Sequence, residues 1–232
     1  MKLSDFLFHE EPGITLYCGD CREVLPLLEE PVDLLLTDPP YGIGFQYADT
    51  EYTDRSDGYA AWLWPVIEAA EARTSPSGLV AVFQSAKWAP RWSSWFPRDY
   101  RLIAVPKVFV QMNTALVTWA TDYVLFWGRA ETPRGKQEWQ PRPARDWFVS
   151  TDTAIPRGYP ENGHPCPRPP DMMRYLVSIL SPPRSLILDP FAGAGSTLFA
   201  AKELGRRAIG IEIEAKYCEI TVKRLRQEVL AL

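Results

Sequence analysis

Histidine is nearly missing from this chain, with two in 232 residues. General-base catalysis by imidazole therefore has one candidate within a motif, His164, and His164-Pro165 fits a backbone-fixing turn better. No apolar run approaches the roughly 18 residues a membrane span needs, and the amino terminus lacks a signal-peptide pattern, so the chain reads as cytoplasmic. Internal repeats and low-complexity linkers are also missing, and a single domain over 1–232 with one continuous core fits the length. Nor is there an excess of positive charge, the formal net charge being −4. That total is uneven: residues 1–60 hold 13 acidic and 3 basic side chains, and the rest holds 16 and 22. A protein that touches phosphates needs local positive potential rather than a basic total, so −4 does not exclude nucleic acid. An ordinary uneven surface accounts for the asymmetry equally well.

Cysteine is sparse too, with four residues: Cys18, Cys21, Cys166 and Cys218. Cys18-Gly19-Asp20-Cys21 has the spacing of a redox pair or half a zinc site. A four-ligand site would need Cys166 and Cys218 to converge with it, and neither belongs to a second paired motif. No metal is expected, and Cys21 reads as a small buried residue.

What is present is an alternation of strand-like and helix-like segments. Strands are expected near 14–18, 32–37, 78–83, 101–106, 122–127, 185–189 and 207–211. Helices are expected near 22–29, 59–74, 86–95, 170–180, 197–205 and 215–229. Such alternation predicts an α/β, doubly wound, mainly parallel sheet with helices on both faces. The runs between Ala104 and Val124 lack an intervening helix, which predicts an antiparallel pair at one edge. Residues 42–58 and 129–169 fit no regular element. The second stretch interleaves Arg129, Arg134, Lys136, Arg142 and Arg145 with Trp139 and Trp147, and 129–163 is the candidate DNA-recognition segment. Trp119 and Trp127, with Lys107, lie in the strands feeding it and read as core more readily than as stacking platforms.

Asp38-Pro39-Pro40-Tyr41 follows the apolar run Val32–Thr37. A carboxylate at the carboxyl end of a buried strand lies where open α/β sheets place their ligands. Two prolines fix φ and withhold two N–H groups from any continuing element. The result is a stiff loop presenting a carboxylate, a carbonyl oxygen and an aromatic ring, a receptor for a planar group bearing an NH2. Asp189 similarly ends the run Ser185–Leu188. After it, Pro190 and Phe191 lead into a turn at Gly193 and Gly195 before Ser196 opens a helix. Glycines there permit positive φ and close approach of a ligand. Glu212 ends the next strand, 23 residues beyond Asp189, where an acid can accept both hydroxyls of a ribose.

Together these blocks resemble the β class of DNA amino-methyltransferases, in which the Asp-Pro-Pro-Tyr tetrapeptide precedes an Asp-Pro-Phe-x-Gly-x-Gly cofactor loop. The resemblance runs from about Leu16 to Leu225. It implies a seven-stranded Rossmann-like sheet with permuted motif order and one antiparallel edge strand. The cofactor it implies is S-adenosyl-L-methionine, and the activity is methylation of the N6 amine of a flipped-out adenine in double-stranded DNA. By the same resemblance Asp38, Pro39, Pro40 and Tyr41 are catalytic. Asp189, Pro190, Phe191, Gly193, Gly195 and Ser196 would cradle the methionine end, Glu212 the ribose, and Asp20 the adenine amino group of the cofactor. His164-Pro165-Cys166-Pro167-Arg168-Pro169 resembles the family's His-Pro-x-x-Lys-Pro segment, which closes over the methionine end, with Arg168 at the lysine position. Relatives of this class often pair as homodimers. An N4-cytosine enzyme is the nearest alternative, although these typically carry Ser at the position of Asp38. A DNA-binding relative without chemistry is the other, and an intact tetrapeptide argues against it.

Overall fold

The computed structural model describes residues 1–44, 58–96, 98–106, 120–128, 144–151 and 168–226. Among them, eight strands form one sheet: β1 (Leu7–Glu11), β2 (Ile14–Cys18), β3 (Val32–Thr37), β4 (Thr74–Ser85), β5 (Arg101–Pro106), β6 (Thr121–Gly128), β7 (Leu186–Asp189) and β8 (Arg207–Glu212). Their spatial order is β1-β2-β8-β7-β3-β4-β6-β5. The five strands from β2 to β4 run parallel, whereas β1, β6 and β5 join by antiparallel pairing. The central strands are buried on both faces, which is why β3 and β7 read as near-continuous apolar runs.

Successive residues feed two cores. Leu34, Leu36, Ala81, Phe83 and Ile187 pack with α4 (Pro170–Leu180), α5 (Ser196–Glu203) and α6 (Ala215–Leu225). Leu35, Val80, Val82, Leu186 and Leu188 face α1 (Cys21–Val24), α2 (Tyr59–Glu71) and α3 (Trp92–Trp95). The period-2 alternation of side chains thus builds the two helical layers of a doubly wound fold.

The sheet is mainly parallel with an antiparallel edge, as expected, and differs in one particular. There are eight strands rather than seven, because Leu7–Glu11 pairs antiparallel with β2 across a turn at Gly13, whose φ is +84°. Its two glutamates and exposed Leu7 and Phe8 hide it from a search for buried runs. The antiparallel pair expected at one edge is β6 with β5, and within it the strand that runs against β4 is β6, which leaves β5 outermost. Val124 and Leu125 of β6 are fully buried, whereas β5 begins with exposed Arg101 and Leu102. No helix among the described residues is long and apolar enough to cross a membrane.

Candidate active site

Four carboxylates stand at the carboxyl ends of four adjacent strands. In sheet order they are Asp20, two residues beyond β2, then Glu212 ending β8, Asp189 ending β7, and Asp38 directly after β3. At about 4.8 Å per strand the row spans roughly 14 Å. Each follows an apolar strand, at the rim where the ladder ends and a carboxylate can find donors in the turn.

The four are not equivalent. Asp189 is 2% exposed and accepts from Thr37 Oγ1 at 2.8 Å, Thr197 Oγ1 at 2.6 Å and the Phe191 N–H at 3.1 Å. Burial pushes its carboxyl up to about 6, against the pull of those donors. Asp189 therefore staples β3 to β7 and fixes the start of the turn. Glu212 is 8% exposed and accepts from Gly193 N–H and Glu214 N–H, both at 2.8 Å, one on each oxygen. Burial raises it to about 7. Each oxygen keeps a lone pair, so Glu212 can still accept from a vicinal diol. Asp20 caps α1 through the Arg22 N–H at 2.8 Å and takes the Arg22 guanidinium on its carboxylate, which lowers its pKa.

Between Asp189 and Glu212 runs the glycine turn. Pro190 is buried, and Phe191 packs on Trp62 with ring centroids 5.7 Å apart. Gly195 has φ +72°, and a Cβ there would lie 2.5 Å from Thr221 Cγ2, so α6 excludes any side chain. Thr221 also donates to the Gly193 carbonyl at 2.9 Å, and Arg224 donates to Ser196 Oγ at 2.9 Å. Two buried carboxylates flanking a turn with two glycines form an acceptor set that suits an adenosyl sulfonium, whose ribose and amino groups are hydrogen-bond donors.

The tetrapeptide loop is held from below. Trp88 Nε1 donates to the Tyr41 carbonyl at 2.7 Å. Gly42, at φ +66°, lies on the Tyr59 ring, and a Cβ would come within 2.7 Å of it. Gln84 Nε2 in turn donates to the Tyr59 hydroxyl at 3.0 Å. On the open side, Arg168 grips Asp38 with Nε to Oδ2 at 2.6 Å and Nη2 to Oδ1 at 2.9 Å, and Nη1 reaches Asp122 Oδ2 at 2.8 Å. The Tyr41 hydroxyl touches Arg168 Nη2 and donates to Asp122 Oδ2 at 3.4 Å. Burial raises the Tyr41 phenol well above its usual value. The guanidinium also lies over Phe83, 4.6 Å from the ring centroid.

Arg168 thus sits against the tetrapeptide loop. His164 and Pro165, with Lys107, Trp119 and Cys166, lie outside the described residues, as does most of 129–163. Trp127 is core, donating to Glu71 Oε1 at 3.0 Å. Residues 144–151 run beside β5, where Trp147 bridges Ala104, is 46% exposed, and carries the Arg145 guanidinium 5.0 Å above its ring. Cys18, Cys21 and Cys218 are free thiols, and burial pushes Cys21 up to about 12. Among the described residues no cluster of His, Cys, Asp and Glu could hold a metal. Sequence reasoning missed Asp122, Trp88 and Thr37. A lone acid inside the apolar strand β6 was a signal for the first.

A family model described as DNA methylase, N6_N4_Mtase, matches residues 32–223. The DNA adenine methyltransferase YhdJ of Escherichia coli K12 is 23% identical over 91% of this chain and 82% of its own. The structure of M1.HpyAVI in complex with SAM superposes with a TM-score of 0.69 at 22% identity, covering 92% of this chain and 99% of that one. PvuII DNA methyltransferase, cytosine-N4-specific, superposes at 0.73 with 17% identity, over 94% and 88%.

Proposed function

Because the chain belongs to the N6_N4_Mtase family of DNA methylases, we propose that it methylates the N6 amine of adenine in double-stranded DNA. The cofactor is S-adenosyl-L-methionine. The observation that carries the reading is the row of strand-end carboxylates. Taken in order, Asp20 suits the cofactor's adenine amine, Glu212 the ribose, the Asp189 turn the methionine end, and Asp38 the amine to be methylated.

When bound, the cofactor supplies an electrophilic methyl group on its sulfonium. The protein's part is to make a poor nucleophile attack it. An exocyclic base amine has its lone pair delocalised into the ring. Asp38 and the Pro39 carbonyl each accept one N–H, which draws the nitrogen towards tetrahedral geometry and frees the lone pair. The bound sulfonium would supply its methyl to that lone pair and keep the carbon–sulfur electron pair, and the methylated nitrogen would pass its surplus proton to solvent water. Asp38 stabilises the positive charge that develops on nitrogen, and alignment supplies the remainder. The paired base must leave the duplex, and the Tyr41 ring is available to replace lost stacking.

Adenine is favoured over cytosine by Asp38, at the position where cytosine enzymes of the class typically carry Ser. The fold itself does not choose, since a cytosine-N4 enzyme superposes well. The test is labelled methyl transfer to defined DNA followed by nucleoside analysis. N6-methyladenine is the expected product, and N4-methylcytosine alone would replace the reading with its alternative.

A further inference from the structure

Only one member of the Asp38–Arg168–Asp122 cluster belongs to the tetrapeptide. A guanidinium carries five donors in a rigid planar fork, and Arg168 commits three of them to two carboxylates. The Asp38 side chain is 27% exposed and that of Asp122 3%. Asp38 is therefore left partly uncovered beside the fork, while Asp122 is buried beneath it. A carboxylate offers about four lone-pair sites and the fork occupies two, so Asp38 keeps acceptors for a substrate N–H. Charge points the same way. Asp38 and Arg168 alone sum to zero, and a neutral pair does little for positive charge growing on an amine. Asp122 returns the cluster to a net charge of about −1.

We propose that Asp122 is a positioning residue for methyl transfer, holding the Arg168 fork so that Asp38 turns its free lone pairs towards the target amine. This rests on the methyltransferase reading above. Asp122 sits too deep to touch the base, so its effect runs through Arg168. It also receives the Tyr41 hydroxyl, which ties the aromatic ring of the loop to the same anchor.

The experiment is steady-state methyl transfer by Asp122→Asn, Arg168→Ala, Arg168→Lys and the Asp122→Asn/Arg168→Ala double variant, with cofactor affinity by calorimetry beside it. Asp122→Asn should lower kcat by about 10–100-fold, leave KM for DNA within about threefold, and leave cofactor affinity unchanged. In the Arg168→Ala background the same substitution should cost clearly less than in the wild type, because the fork is gone and the loop contact that remains to Asp122 is the Tyr41 hydroxyl. Arg168→Lys, which keeps the charge without the fork, should recover part of the Arg168→Ala loss. Losses that multiply in the double variant overturn the positioning role. So does an unchanged kcat, or a loss of cofactor affinity in step with kcat. If Asp122→Asn does not fold, Asp122→Ser repeats the comparison with a smaller neutral side chain. A wild-type chain that binds cofactor yet methylates no base amine overturns the functional reading, and this inference with it.

Discussion

At the scale of single residues, the proposed function divides the site into side chains for the base and side chains for the cofactor. Asp38→Ala should slow methyl transfer by roughly 10²-fold or more while cofactor affinity holds, because one acceptor for the reacting amine is gone. Glu212→Ala should weaken cofactor binding first, since it strands ribose hydroxyls. A cofactor titration in which the two variants behave alike would refute the division. Glu212 also makes binding depend on pH. Its carboxyl is raised to about 7 by burial, so it is partly protonated near neutrality, and the ionised form is the better acceptor. Cofactor affinity should rise from about pH 6 to about pH 8, and Glu212→Gln should flatten that rise. Stability moves in the opposite sense. A carboxyl whose folded value is raised contributes stability below its unfolded value, and that stability is lost as pH climbs through about 7. Thermal unfolding of the cofactor-free protein, wild type against Glu212→Gln, measures this. Asp38, Asp189 and Glu212 were legible in the sequence because each closes an apolar run. The grip of Arg168 was not, since it needs positions 38, 122 and 168 to converge and no local spacing encodes that.

At the scale of elements, the tetrapeptide loop is only as rigid as what lies beneath it. Trp88 lies in the short helical turn Ala86–Arg91 and holds the Tyr41 carbonyl. Trp88→Phe keeps an aromatic ring and loses the donor. It should cost about 1 kcal/mol of stability and lower kcat by about tenfold through loop misplacement, with DNA affinity unchanged. Chemical denaturation and single-turnover rates check the two parts. The helices at 170–180 and 215–225 and the central strands were readable from apolar periodicity. The edges of the sheet were not. β1 presents Leu7, Phe8 and two glutamates without a buried face, so it gives no strand pattern. The choice of β5 over β6 as the outer strand is made by which one leaves Arg101 and Leu102 in water.

At the scale of the whole molecule, 22 of the 25 lysines and arginines fall after residue 60, and the phosphates of DNA must be met from among them. We expect the surface near Arg145 and Trp147, beside β5, to meet the phosphates. Replacing Arg142 and Arg145 with Ala should weaken DNA binding and flatten the slope of log K against log salt by about 0.9 for each phosphate that is no longer neutralised. Cofactor affinity should not change. An unaltered slope would move the DNA surface elsewhere, with 42–58 the next candidate. The two ligands of this chain nevertheless share one buried joint, the 2.8 Å hydrogen bond from Thr37 to Asp189 that stitches the strand bearing the tetrapeptide to the strand bearing the glycine turn. A joint that both ligands tighten makes their binding cooperative, and cooperativity of this kind is reciprocal. Whatever factor the cofactor adds to DNA affinity, DNA must add to cofactor affinity. Thr37→Val, which removes the hydroxyl and keeps the shape, should shrink both factors together. Titrating each ligand in the presence and absence of the other measures that shared factor, and a factor unchanged by the substitution would show that the joint carries structure without carrying communication.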